Sequence, residues 1–163
     1  MDVILIAAVT HDGFIARHSN EIITWSKDLH LFKKQTFGYP VIMGSNTFNC
    51  LESELDNREV IVFHRNNKPR EVIEKINSKK CFVAGGGITN KKFYSHLTHL
   101  YITPHPLIFG SGIKLFQDNI KEPNLLLENV IVDFFAFNSS FVIPLLYQIC
   151  ICSRVASLPL SIS

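Results

Sequence analysis

The 163-residue chain contains one tryptophan, two methionines and four cysteines, the last at positions 50, 81, 150 and 152. No Cys-x-x-Cys pair occurs, so the spacing indicates neither a zinc site nor a disulfide framework, and the cysteines read as reduced, partly buried thiols. Charge of one sign is also scarce. Sixteen Lys and Arg against fourteen Asp and Glu leave +2 with His neutral, too little to argue for nucleic acid or an anionic membrane as partner. No apolar run reaches the roughly 18 residues of a spanning helix. The opening MDVILIAAV has an acid at position 2 where a signal peptide has basic residues, and no cleavage site follows. The expected location is the cytoplasm. G-x-G-x-x-G, G-x-x-x-x-G-K-[ST] and G-x-S-x-G are all absent, which removes the Rossmann, P-loop and hydrolase-elbow readings. His11, His18, His30, His96, His99 and His105 show no H-x-x-x-H or H-E-x-x-H spacing, so metal binding is unsupported and most are expected at the surface. Cys50 has no catalytic signature around it, and Lys33-Lys34 and Lys91-Lys92 read as solvated helix faces.

What is present is apolar residue in quantity, 47% against 18% charged, enough for one domain with a substantial core and against disorder. Strand-like and helix-like segments alternate. Val3 to Val9 is a continuous apolar run, as in a strand buried on both faces. Residues 26 to 36 read as a helix with Ser26 as N-cap, and Val41 to Met43 as a short strand after Pro40. Asn46 to Leu51 (helix), Glu59 to Phe63 (strand), 70 to 77 (helix), Cys81 to Ala84 (strand), Thr89 to Leu97 (helix) and Leu100 to Thr103 (strand) continue the alternation. This predicts an α/β fold: a three-layer α/β/α sandwich around a mainly parallel sheet. Leu125 to Phe137 and Phe141 to Tyr147, separated by Asn138-Ser139-Ser140, read as a closing C-terminal antiparallel hairpin. The domain is expected to span 1 to 148, with 149 to 163 a tail that fits no element.

Two glycine sites follow strands and open helices: Gly44-Ser45-Asn46-Thr47 and Gly85-Gly86-Gly87-Ile88-Thr89. Free amides at a helix start, unobstructed by side chains, suit phosphate oxygens, and two such sites in one sheet suit the two ends of a dinucleotide. Either is also readable as an ordinary strand-to-helix turn. Asp28, in Trp25-x-x-Asp28-Leu29-x-x-Phe32, has two readings as well. It complements the helix dipole, or it faces an apolar pocket formed with Leu29 and Phe32 and holds an amino-pyrimidine through two charge-assisted hydrogen bonds.

The stretch WSKDLHLFKKQTFGYPVIMGSNTFNCL, residues 25 to 51, resembles the dihydrofolate reductase family, as do ILIAAV at the start, Arg58 before the third strand, the glycine triplet and Leu100-Tyr101-Ile102-Thr103. The resemblance implies NADPH as cofactor and hydride transfer to a C=N bond of a pterin. It implies that Asp28 binds the amino-pyrimidine and supports protonation beside the reduced carbon, with Thr103 supporting the acid. Ile6, Ala7, Leu29, Phe32 and Leu51 match the substrate pocket, and Arg58 the residue that grips the folate glutamate. Gly44, Ser45, Asn46, Thr47, Gly85, Gly86, Gly87, Ile88 and Thr89 fall in the cofactor turns, with His64 and Arg65 in the region that reads the 2′-phosphate.

Departures accompany the match. The family's Leu-Pro between tryptophan and acid is missing, Ser45 stands where an arginine is usual, and Asn90 replaces a tyrosine. Asp12-Gly13-Phe14-Ile15-Ala16 and Pro106 to Phe116 instead resemble the reductase domain of riboflavin biosynthesis, which shares the fold. The expected substrate is therefore dihydrofolate or a related pterin. The ribosylamino-pyrimidine phosphate of riboflavin synthesis is the alternative, and a silent nucleotide-binding protein the third reading. The sequence leaves monomer and homodimer open.

Overall fold

The computed structural model describes residues 1–51, 55–117, 126–133 and 146–152. In chain order its elements are β1 (Asp2–Thr10), β2 (Phe14–Ala16), α1 (Leu29–Thr36), β3 (Val41–Gly44), α2 (Ser45–Leu51), β4 (Val60–Phe63), α3 (Pro69–Lys75) and β5 (Lys80–Val83). They continue with α4 (Gly87–Phe93), a single 3-10 turn, β6 (His99–His105), β7 (Ile113–Lys114), β8 (Leu126–Asp133) and β9 (Leu146–Cys152). The main sheet has the order β4-β3-β5-β1-β6-β9-β8. Its first five strands are parallel, and β9 joins β6 and β8 antiparallel.

Burial on both faces explains the unbroken apolar runs. Successive strand residues point to opposite sides, and here each side has its own core. Val3, Ile42, Cys81 and Val83 face α3 and α4, meeting Val72, Ile73 and Phe93. Their sequence neighbours Ile4, Val41, Met43 and Phe82 face the opposite way, against Phe32 of α1 and Phe48 and Leu51 of α2. Each such side chain contributes about 1.5–3 kcal/mol by leaving water. The three-layer sandwich and its mainly parallel sheet are thus as expected from the alternation. Burial also pushes the Cys81 thiol up to about 11, which keeps it protonated and inert.

Three expectations need correction. The first helix begins at Leu29, so Ser26 is not its cap; Asp28 holds that position. In the closing hairpin β8 lies within the expected first strand, and its partner Leu146–Cys152 runs past the expected end at Tyr147, while 134 to 145 lie outside the described residues. Ile149 to Cys152, expected to fit no element, pair with His99 to Ile102. A strand between β6 and β8 has partners on both edges, a gain that no local pattern displays. The Asn138 to Ser140 turn and the end of the tail lie outside the described residues.

Beyond these, β2 and β7 are too short to be recognised in the sequence. They pair antiparallel, Phe14 with Lys114 and Ala16 with Ile113. Asp12 completes the junction. Its carboxylate accepts the amides of Phe109 (3.0 Å) and Gly110 (2.7 Å) and the Thr10 hydroxyl (2.7 Å). Desolvation raises its pKa, but these donors outweigh that and hold it below the ordinary value. The two segments that depart from dihydrofolate reductase are therefore one structural unit. Gly112 is fixed by this pairing: its φ is +148°, and a Cβ there would lie 2.3 Å from the Ala16 carbonyl oxygen. Gly112→Ala is expected to cost ~2 kcal/mol or more, read as a lowered urea midpoint at unchanged slope. An unshifted midpoint would show that the β2–β7 ribbon yields freely.

Candidate active site

A cleft of about 750 Å³ opens at the carboxyl ends of β3, β4 and β5, where open α/β sheets place their ligands. The two glycine turns form its floor together. The Gly44 amide donates to the Gly85 carbonyl at 2.9 Å, joining β3 to β5 beyond their ladder. A Cβ on Gly44 would lie 2.9 Å from the Thr89 hydroxyl, so α4 packs onto bare backbone there.

The glycine triplet divides its work. Gly85 has φ +102°, a conformation that favours glycine. Gly86 is extended (φ −76°, ψ −168°), and a Cβ on it would meet only the Thr47 hydroxyl, at an ordinary 3.5 Å. Gly87 is a packing glycine: a Cβ would come within 2.5 Å of the Lys114 carbonyl oxygen. All three line the cleft, and at Gly87 the bare backbone is also required by packing.

Ser45, Asn46 and Thr47 line the same floor, with Ile88 and Thr89 opposite. At this end stand His64 and Arg65, and Lys92 with them. The Ser45 hydroxyl lies 3.3 Å from His64 Nδ1, and the Lys92 ammonium donates to the Arg65 carbonyl at 2.6 Å. Lys92 was expected on a solvated face; α4 instead aims it at the cleft, where it adds a cation that Ser45 does not supply. Three nitrogen-bearing side chains in one corner suit an anionic group.

The other end is largely apolar around Asp28. Ile6, Ala7, Leu29, Phe32 and Leu51 all line it, with Cys50 beside them. Asp28, only 7% exposed, lines it too. It holds the N-cap position of α1, but its side chain makes no capping hydrogen bond. The carboxylate instead accepts the Ser26 hydroxyl. A carboxylate at the N-cap position still complements the helix dipole, and its second oxygen is open to a ligand.

Two expected site residues stand apart. Arg58 does not line the cleft. Its Nε donates to the Thr36 hydroxyl (2.8 Å) and its terminal nitrogens to the carbonyls of Lys33 (2.7 Å) and Asp56 (2.6 Å), with the guanidinium 6.0 Å from the Phe32 ring centre. It holds α1 to the loop before β4. Thr103 is 1% exposed, and its hydroxyl has no hydrogen-bond partner among the described residues, so it does not touch Asp28 directly. Asn90, also 1% exposed, donates to the Leu115 carbonyl at 2.8 Å. His105, one of six histidines of which most were expected at the surface, is buried. Lys92 and His105 carried no local signal, because what places each is a contact distant in sequence.

Among the described residues no His, Cys, Asp and Glu cluster suits a metal, and no helix is long and apolar enough to cross a membrane. A cleft with glycine turns in its floor, a basic corner and an apolar end fits a dinucleotide lying beside a planar substrate.

Known proteins agree with this geometry. The family model described as dihydrofolate reductase matches residues 2–106. Dihydrofolate reductase type 3 of Salmonella typhimurium is 29% identical over 113 residues, covering 61% of this chain and 68% of that protein. The structure of dihydrofolate reductase from Enterococcus faecalis, complexed with NADP(H) and RAB-propyl, superposes with a TM-score of 0.72 at 16% identity, over 94% of this chain and 96% of that one. With the family model spanning well over half of the sequence and the cleft built as described, the chain belongs to the dihydrofolate reductase family, a family of NADPH-dependent oxidoreductases.

Proposed function

We propose that the protein reduces dihydrofolate, using NADPH as hydride donor. The observation that carries this is Asp28: a carboxylate held in the apolar end of the cleft and not spent on a capping hydrogen bond. Its free oxygen and charge suit the paired N–H groups of an amino-pyrimidine. NADPH supplies the hydride when bound. Gly44, Gly85 and Gly86 would offer it bare backbone, and His64, Arg65 and Lys92, which line the same cleft, would hold its phosphates. Ile6, Ala7, Leu29, Phe32 and Leu51 hold the pterin ring and exclude water, and Asp28 orients the ring and favours protonation of the nitrogen beside the accepting carbon. The buried Thr103 hydroxyl has no hydrogen-bond partner among the described residues, a costly state that a bridging water or a substrate amino group would relieve.

The riboflavin-type alternative rested on Asp12 to Ala16 and Pro106 to Phe116. Those residues build the β2–β7 unit, the matched family model stops at residue 106, and both relatives described above are dihydrofolate reductases. The alternative therefore has no finding in its favour. The test is NADPH oxidation with dihydrofolate and the pyrimidine phosphate offered side by side. Turnover of the second alone reverses the proposal, and turnover of neither revives the silent-protein reading.

The basic corner predicts cofactor choice. NADPH is expected to bind more tightly than NADH, and Arg65→Ala to narrow that preference roughly tenfold, the effect of one exposed charge-assisted contact. The dissociation constants of both cofactors in both proteins decide it. An unchanged ratio would transfer the role to Lys92 or His64.

A further inference from the structure

His105 takes no part in the chemistry just proposed, yet it is among the most buried polar residues described, 3% exposed at the end of β6. Both ring nitrogens are engaged. Nδ1 lies 3.0 Å from the Thr103 carbonyl, and the Lys27 amide donates to Nε2 at 3.0 Å. A carbonyl only accepts and an amide N–H only donates, so the ring must carry its proton on Nδ1 and present a lone pair at Nε2. Trp25 meets this ring edge-on at 5.2 Å and meets Phe109 likewise at 5.3 Å.

The segment that His105 grips needs an anchor. Residues 17 to 27 contain no helix or strand, so the route into Asp28 is not set by a backbone ladder. The Lys27 amide belongs to the Ser26–Lys27 peptide, so the contact holds the backbone at Ser26, whose hydroxyl the Asp28 carboxylate accepts. This contact spans 78 positions of sequence. Its other end is the last residue of β6, an interior strand paired with β1 and β9.

We infer that His105 is a positioning residue for Asp28, acting through the Lys27 amide and not by touching the substrate. The inference rests on the proposed role of Asp28. His105→Phe keeps a ring against Trp25 but offers no acceptor to Lys27. His105→Gln can return an oxygen near the place of Nε2, whereas the shorter His105→Asn can replace only the Nδ1 donor. The expected order of kcat with dihydrofolate is wild type, Gln, then Asn and Phe. The last two should fall roughly tenfold to a hundredfold, as misplacement of a catalytic group does, with a raised KM for the pterin and an unaltered NADPH dissociation constant. Hydrogen exchange at the Lys27 amide is measured in parallel: slow in wild type, fast in Phe and Asn, slowed again in Gln.

A folded His105→Phe protein with wild-type kcat and pterin KM overturns the inference. Should Phe fail to fold, Gln and Asn behaving alike overturns it instead. Wild type inactive on dihydrofolate removes the proposed function alone. The exchange series then decides the anchor by itself, and equal Lys27 exchange in all four proteins rejects it.

Discussion

Asp28→Asn is expected to lower turnover of dihydrofolate about a hundredfold or more, the range of a positioned acid–base group. The substitution preserves size and removes the charge, and it places a donor where a substrate N–H points. The fold should be indifferent. No capping bond is lost, because the Asp28 side chain makes none, and the Asn oxygen can still accept the Ser26 hydroxyl that Asp28 accepts now. NADPH binding should survive, since the glycine floor is built from other elements. The measurements are kcat with dihydrofolate, the NADPH dissociation constant and the thermal midpoint. Near-normal turnover in a folded Asp28→Asn protein would remove the chemical centre of the proposal.

Gly86→Val is expected to abolish useful cofactor affinity while sparing the fold. The backbone of Gly86 is extended, which any residue adopts, and its Cβ would make only an ordinary contact with Thr47. The branched methyls must then project from the floor into the cleft, where the cofactor needs bare backbone. A loss of at least a hundredfold in NADPH affinity is expected, about 2.7 kcal/mol, with a midpoint within a few degrees of wild type. Gly87→Ala is the opposite control: its Cβ would collide with the Lys114 carbonyl at 2.5 Å, so stability should fail first. Wild-type affinity in a folded Gly86→Val protein would make the triplet an ordinary turn.

Sequence alone determined what depends on neighbours a few residues apart. Continuous apolar runs such as Val3 to Val9 mark strands covered on both faces, and the two opposed cores bear that out. Glycines after β3 and β5, and the acid beside Leu29 and Phe32, placed both ends of the cleft. Tertiary structure decided what depends on distance. Asp12 meets Phe109 across 97 positions and Lys27 meets His105 across 78, so neither the β2–β7 unit nor the buried histidine leaves a local pattern. The second hairpin strand lies at Leu146–Cys152 because β6 and β8 both pair with it there. Only three-dimensional packing separated Gly87 from Gly86, turned Arg58 onto the carbonyls beside it, and left the Asp28 carboxylate without a capping hydrogen bond. Periodicity reports which face of an element is covered. Which distant backbone or side chain comes to cover it is a property of the assembled sheet.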